Sequence, residues 1–171
     1  MKPAGPLVLI ACTLVLTVSR APAQEASPGG AQWDALAFAG GALGGSEGGA
    51  GAIWEFGAGI QFVSNSRIGG RLLVAGQNND RILDYLSVEP AFVWQWSRNE
   101  SRAWYLAAGP SAILEMSSAD TEQENYWGFT AALGVSVRPG SSGVAPEIRL
   151  GVYSPSLVLL GARLYLHFGP L

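Results

Sequence analysis

His167 is the single histidine of the 171-residue chain, and any imidazole base or metal site would have to centre on it. Arg163, Tyr165 and His167 recur at every second position, so an extended strand puts all three on one face. No serine lies two positions away on that face to complete a nucleophile–base pair. No His/Cys cluster accompanies it, and a metal centre needs several ligands. His167 therefore reads as a polar side chain at the end of a strand. Four glutamates, Glu55, Glu89, Glu115 and Glu147, come next, because paired carboxylates can do acid–base work. Five arginines, Arg67, Arg71, Arg138, Arg149 and Arg163, share their alternating face. Carboxylates and guanidiniums interleaved in this way point to structural ion pairs rather than to catalysis. Asp120, Glu122 and Glu124 could hold a cation, but their polar surroundings read as a solvated loop. The glycine-rich stretch 40–51 lacks the Gly-Lys-Ser/Thr ending and following helix of a phosphate loop. Asn99, Glu100 and Ser101 match a glycosylation sequon and read simply as a turn. No catalytic residue, cofactor site or metal site is expected.

What positions these residues is a period of two, which dominates from Gln32 onward and marks strands. Eight strand-like stretches follow in succession. The first, near 33–43, is the weakest and sets Leu36 and Phe38 against Ala35, Ala37 and Ala39. The second sets Trp54, Phe56, Ala58, Ile60 and Phe62 against Glu55, Gly57, Gly59 and Gln61. The third sets Ile68, Leu72 and Val74 against Arg67, Gly69 and Arg71. The fourth divides into Leu86, Val88, Phe92, Trp94 and Trp96 against Tyr85, Ser87, Glu89 and Gln95. In the fifth, Trp104, Leu106, Ala108 and Leu114 oppose Tyr105, Gly109, Ser111 and Glu115. In the sixth, Trp127, Phe129, Leu133, Val135 and Val137 oppose Gly128, Thr130, Gly134, Ser136 and Arg138. The seventh sets Ile148, Leu150 and Val152 against Glu147, Arg149, Gly151 and Tyr153. The last sets Val158, Leu160, Leu164, Leu166 and Phe168 against Gly161, Arg163, Tyr165 and His167. Turn residues mark connections at 44–51, 64–66, 76–81, 97–102, 117–124, 139–143 and 154–156. Pro90, Pro110 and Pro146 fall inside strands on the apolar face, where each removes a ladder donor, so local distortion is expected there.

The N-terminus has a different character. Lys2 supplies a positive n-region, 7–18 an apolar h-region, and Ala21, Pro22 and Ala23 a small-residue cleavage site. Residues 1–23 are thus expected to be a cleaved signal peptide, 24–31 a flexible lead-in, and 32–171 the barrel domain. A lipobox reading of Leu9, Ile10, Ala11 and Cys12 competes, but the apolar run continues past Cys12. Cys12 is the only cysteine, so the part after the leader holds no disulfide or thiolate. It holds no lysine either, and no basic patch suggests nucleic acid. Hydrophobic residues make up 49% of the chain and charged residues only 13%. Past the leader, no apolar run approaches the ~20 residues of a membrane helix.

Alternation does not say which face is inside. A soluble barrel would put the apolar face in, and three features favour the reverse. The polar face has no lysine and mixes small residues with near-balanced acids and arginines, which suits the narrow interior of an eight-stranded barrel. The apolar face carries large aromatics near strand ends: Trp54, Phe62, Trp94, Trp96, Trp104, Trp127 and Phe168 fit girdles at two membrane interfaces. That face is also continuous across seven strands, a liability in water and a requirement in lipid. The expected fold is all-β, an eight-stranded antiparallel up-and-down transmembrane β-barrel. With both termini periplasmic, the longer connections fall mostly outside.

The leader, the dyad-patterned strands and the final strand 157–168 resemble the OmpA/OmpX-type small outer-membrane β-barrel proteins over residues 32–168. Such proteins usually end on an aromatic residue, whereas Gly169, Pro170 and Leu171 follow Phe168 here. The resemblance implies a place in a bacterial outer membrane, contact with outer-membrane lipid, and transient handling by periplasmic chaperones and the barrel-assembly machinery. A monomer is expected. The preferred expectation is a non-enzymatic barrel with a structural or surface-interaction role and a lumen plugged by Arg/Glu pairs. The alternatives are a barrel enzyme modifying lipid A or phospholipid, and a secreted soluble ligand-binding barrel. Lipid-A deacylases of this architecture use a His–Ser pair near the outer leaflet, and His167 stands at the opposite end. A palmitoyltransferase-like barrel would draw on loop residues such as Asp80, Asp84 and Ser117.

Overall fold

Alternating faces of β-branched and aromatic residues cannot be buried by one hairpin, and the chain solves this by closing its sheet on itself. The computed structural model describes residues 32–46, 49–64, 66–78, 83–98, 101–116, 125–137, 142–154 and 156–169. Residues 1–31, which hold the expected leader and lead-in, and Arg138 lie outside the described residues. The strands are β1 (Gln32–Ser46), β2 (Gly49–Val63), β3 (Ile68–Asn78), β4 (Leu83–Arg98), β5 (Arg102–Glu115), β6 (Tyr126–Val137), β7 (Ser142–Ser154) and β8 (Leu157–Phe168). Each pairs antiparallel with its sequence neighbours, and β1 pairs with β8, giving a closed eight-stranded up-and-down barrel. The ends of the described chain meet at one rim, where Ala35 faces Phe168. The β2–β3, β4–β5 and β6–β7 connections share that termini rim, and the other four occupy the loop rim.

Several expected connections shrink, the first and third among them. Gly44, Gly45 and Ser46 pair with Gly51, Ala50 and Gly49, so the first hairpin ladder runs through most of the glycine stretch. Glycines and alanines tolerate this extension because they bring little or no side chain to place. β3 likewise continues to Asn78, with a register shift beyond Gln77. The third strand differs in the other direction. It begins at Ile68, and Arg67 stands in the preceding turn with φ of 67°.

Outward faces carry the apolar residues assigned to them by alternation. Ile60, Leu72, Phe92, Leu106, Phe129, Leu133, Ile148, Leu160 and Leu164 are all exposed. β1 is inverted relative to the others: Leu36 and Phe38 point inward and are buried, while Ala35, Ala37 and Ala39 face out. The lumen is therefore mixed rather than polar throughout. Leu36, Phe38, Leu73 and Val93 cluster inside with Tyr105 and Tyr165. Towards the loop rim, Ala42, Ile113, Tyr153 and Leu159 form a second buried group.

The three prolines interrupt ladders without shifting register. β4–β5 pairing stops after Val88 with Ala112 and resumes at Phe92 with Ala108. The same register sets Pro90 opposite Pro110, and neither can donate a hydrogen bond to the other strand. Their other edges are intact: Pro90 pairs with Leu72 on β3, and Pro110 with Phe129 on β6. Pro146 keeps its pairing with Leu164 on β8, while the β6–β7 ladder lapses between Glu147 and Val144. Amide exchange should report the β4–β5 gap. The amides of Phe92, Ala108 and Ala112 are expected to exchange faster than those of Ala37 and Ala58 in the unbroken β1–β2 ladder. Equal protection would mean that the gap is closed in solution.

Candidate functional site in the lumen

An eight-stranded barrel has room inside for one filling of side chains, so each inward position must suit those across from it. β2 contributes Glu55, β3 Arg71, β4 Glu89, β7 Glu147 and Arg149, and β8 Arg163. All six are buried, which gives three carboxylates facing three guanidiniums.

They form two joined groups. In the first, Arg163 donates from Nε to Glu55 Oε1 at 2.7 Å and from Nη2 to Glu89 Oε1 at 2.6 Å. Arg149 spans the same two acids, donating from Nη2 to Glu55 Oε2 at 2.7 Å and from Nη1 to Glu89 Oε1 at 2.9 Å. In the second, Glu147 accepts from Arg71 Nη1 at 2.5 Å, Tyr105 Oη at 3.0 Å and Tyr165 Oη at 2.9 Å. Arg163 Nη1 joins the groups by donating to Tyr165 Oη at 3.3 Å. Aromatic faces complete the cage. The Arg163 guanidinium lies 4.8 Å from the Phe38 ring centroid, and that of Arg71 lies 5.2 Å from the Tyr165 ring. A planar fork that reaches two carboxylates at once is open to a guanidinium and not to an ammonium, which suits arginine rather than lysine here.

Small residues leave the space. A Cβ on Gly134 would sit 2.4 Å from the Tyr105 hydroxyl, and one on Gly40 would sit 2.9 Å from Arg163 Cγ. β6 supplies no charge to the described network, because its inward residues Gly128, Thr130, Ala132 and Gly134 make room for charges from elsewhere.

Three of the nine residues assigned to an ionic lumen stand elsewhere or lie outside the description. Arg67 is exposed in the β2–β3 turn, where its Nη1 donates to the Trp96 carbonyl at 3.3 Å. The turn takes up Ser64–Arg67, so strand alternation does not extend back to this residue. Glu115 is partly exposed at the loop-rim end of β5, opposite Tyr85 and away from both groups. Arg138 is outside the described residues. Sequence reading missed Tyr105 and Tyr165 as ligands of Glu147, although both fall on inward positions. It also missed Asp34, whose Oδ2 lies 3.7 Å from His167 Nδ1 near the termini rim. Asp34 shares the face of Leu36, which the structure turns inward. Among the described residues, no group of three or more His, Cys, Asp or Glu side chains could hold a metal.

The aromatics fall into two bands on the outward face. Phe62, Trp94, Trp96, Trp104 and Phe168 lie near the termini rim, with Trp54 and Trp127 nearer the loop rim. Trp33 joins the first band with its ring 5.0 Å from that of Phe62. Trp96 bridges Trp94 and Trp104 at centroid distances of 5.9 and 6.3 Å.

No family model and no curated protein matches the chain. Solved structures do. Neisserial surface protein A superposes with a TM-score of 0.64 at 14% identity, covering 81% of this chain and 99% of that one. Ail of Yersinia pestis, in complex with the heparin analogue sucrose octasulfate, gives 0.59 at 12% identity, covering 81% and 98%. The N-terminal barrel domain of Pseudomonas aeruginosa OprF gives 0.55 at 8% identity, covering 80% and 97%. The chain has the fold of the small outer-membrane barrels.

Removing one partner from such a network leaves another charge buried and unmatched, which typically costs about 3–5 kcal/mol. Glu55→Gln is therefore expected to lower unfolding stability in urea by that order, because both Arg149 and Arg163 lose a charged acceptor. Arg163→Lys should recover little, since one ammonium cannot reach two acids in a planar fork. A wild-type-like urea midpoint for either variant would count against the network as a structural unit.

Proposed function

We propose that this chain is an integral barrel of a bacterial outer membrane, delivered by its N-terminal signal, with a structural or surface-interaction role and no catalysis. The observation that carries this reading is the combination of an apolar outer wall with a lumen closed by Glu55, Arg149, Glu89 and Arg163. In water that wall would be one large exposed apolar surface. In lipid it is what a closed ladder requires, and the two aromatic bands match the two interfaces. The filled lumen argues against bulk solute flow. His167 sits at the termini rim beside Asp34, away from the rim where loops would meet lipid A. Outer-membrane lipid is the standing partner, with periplasmic chaperones and the barrel-assembly machinery as transient ones.

The loop-rim connections favour some surface partners over others. In sequence, the segments between β1 and β2, β3 and β4, and β5 and β6 hold Glu47, Asp80, Asp120, Glu122 and Glu124 against Arg81. Ail was crystallised with a polysulfated heparin analogue. The acidic connections of this chain suit a cationic or neutral partner better than a polyanion.

Outer-membrane fractions from expressing cells should contain a band whose gel migration shifts on boiling, and lipid A from those cells should show an unchanged mass spectrum. Recovery of the folded chain without detergent would end the membrane reading, and an altered acyl pattern would end the non-enzymatic one. In planar bilayers the wild type should give no steady conductance. Glu55→Ala, Glu89→Ala, Arg149→Ala and Arg163→Ala combined should open one.

A further inference from the structure

We propose that the outer wall around β4, near the termini rim, binds an anionic phospholipid. Its phosphate would sit between Arg67 and Arg102, and one acyl chain would lie in a groove over the Pro90–Pro110 seam. The inference rests on the membrane-barrel reading above.

The groove has a volume of about 560 Å³ and is lined chiefly by Phe62, Leu72, Pro90, Phe92, Pro110 and Phe129. Small-molecule sites run from roughly 300 to 1,000 Å³ and are mostly apolar. Its floor exists because outward positions beside the seam are small. Gly70 carries no side chain, and a Cβ there would lie 2.7 Å from the Phe62 ring that now covers it. Ala108 does the same service on β5. The groove opens towards hydrocarbon, so its occupant is aliphatic. A flexible acyl chain can follow a concave groove to its floor, whereas the convex wall of a second barrel cannot.

Charge marks the end where a headgroup would sit. The outward face of β5 reads Arg102, Trp104, Leu106, Ala108 and Pro110, running from the rim into the groove. On the other flank of β4, Arg67 precedes Ile68, Gly70 and Leu72. Arg67 stands three residues before Gly70, at most about 11 Å away at ~3.8 Å between successive Cα atoms, so a single lipid can reach both charge and groove.

Arg67 also occupies a costly backbone position. Its φ of 67° lies in the left-handed region, which glycine or asparagine enters more easily. The turn holds it there through its own N–H to Ser64 O at 3.0 Å and through Gln95 N–H to its carbonyl at 2.8 Å. The result aims an exposed guanidinium along the β4 edge, beside the Trp94–Trp96–Trp104 cluster. Guanidinium forks bind phosphate well, and tryptophans favour the headgroup level.

The rims differ in sign. Among the described residues, exposed Arg67 and Arg102 stand at the termini rim, with Asp34 buried beside His167, while Glu115 stands at the loop rim. The field therefore draws anions to the rim where the groove ends. With that rim periplasmic, the lipid source is the phospholipid leaflet.

Tryptophan fluorescence tests this on the full chain in phosphatidylcholine vesicles. A small fraction of lipid is replaced by phosphatidylglycerol or phosphatidylcholine with brominated acyl chains, which quench nearby indoles. The wild type should show several-fold stronger quenching by the brominated phosphatidylglycerol. Arg67→Gln with Arg102→Gln should bring the two lipids level. Ala108→Leu, which fills the groove, should weaken quenching by both and reduce the preference. The boiling shift on gels verifies that each variant has folded. Equal quenching by the two lipids in the wild type overturns the site, as does a preference that persists in the double variant. A preference left whole by Ala108→Leu also overturns it, leaving only diffuse attraction to a basic rim. A chain quenched by no brominated lipid and showing no boiling shift is not in the bilayer, which overturns the membrane reading and this site with it.

Discussion

Closure of the sheet between β1 and β8 governs the rest of the molecule. It satisfies the edge hydrogen bonds that an open sheet would leave, and it fixes the interior at the width of eight strands. Everything inward then competes for one small volume. Three glutamates and three arginines fit because glycines and alanines on facing strands give way to them. A larger barrel would have left those charges to water, and a smaller one would have had no room for guanidiniums. The ion pairs are thus a consequence of closure as well as a brace for it, tying β2, β3, β4, β7 and β8 across the lumen.

The same closure explains why the prolines are tolerated. Pro90 and Pro110 remove donors from one seam, yet each strand keeps its ladder on its other edge. A sheet with free edges could unzip from such a gap, whereas a closed one holds it from both sides. The gap falls under an apolar groove of the outer wall, and the rim beside it carries Arg67 in its forced left-handed turn. The β3–β4 and β4–β5 register shifts lie on that same side of the barrel, while the lapse beside Pro146 lies between β6 and β7.

Much of this was legible in the chain. The dyad pattern gave the strands their faces because side chains alternate strictly along extended backbone. Glu55, Glu89 and Glu147 share that face with Arg71, Arg149 and Arg163, and the balance of signs is visible without any structure. Arg67 was misplaced because alternation was carried through a turn, where the rule no longer applies. The first connection was drawn too long because glycine marks a turn and also serves an extended ladder that needs no side chains. Tyr105 and Tyr165 went unnoticed as carboxylate partners because their phenol rings look like ordinary core aromatics until an acid is seen opposite.

The sequence by itself determined that eight amphipathic strands exist, which residues share each face, and that the polar face holds opposed charges. These are local matters, set by residue type and a period of two. Tertiary structure alone decided which acid meets which arginine, since Glu55 and Arg163 lie 108 residues apart and meet only across the closed lumen. It decided that the middle of β1 turns its bulk inward, since what counts is the space left by Gly57 opposite Phe38. It also set Pro90 opposite Pro110, because register belongs to a pair of strands and to neither one alone.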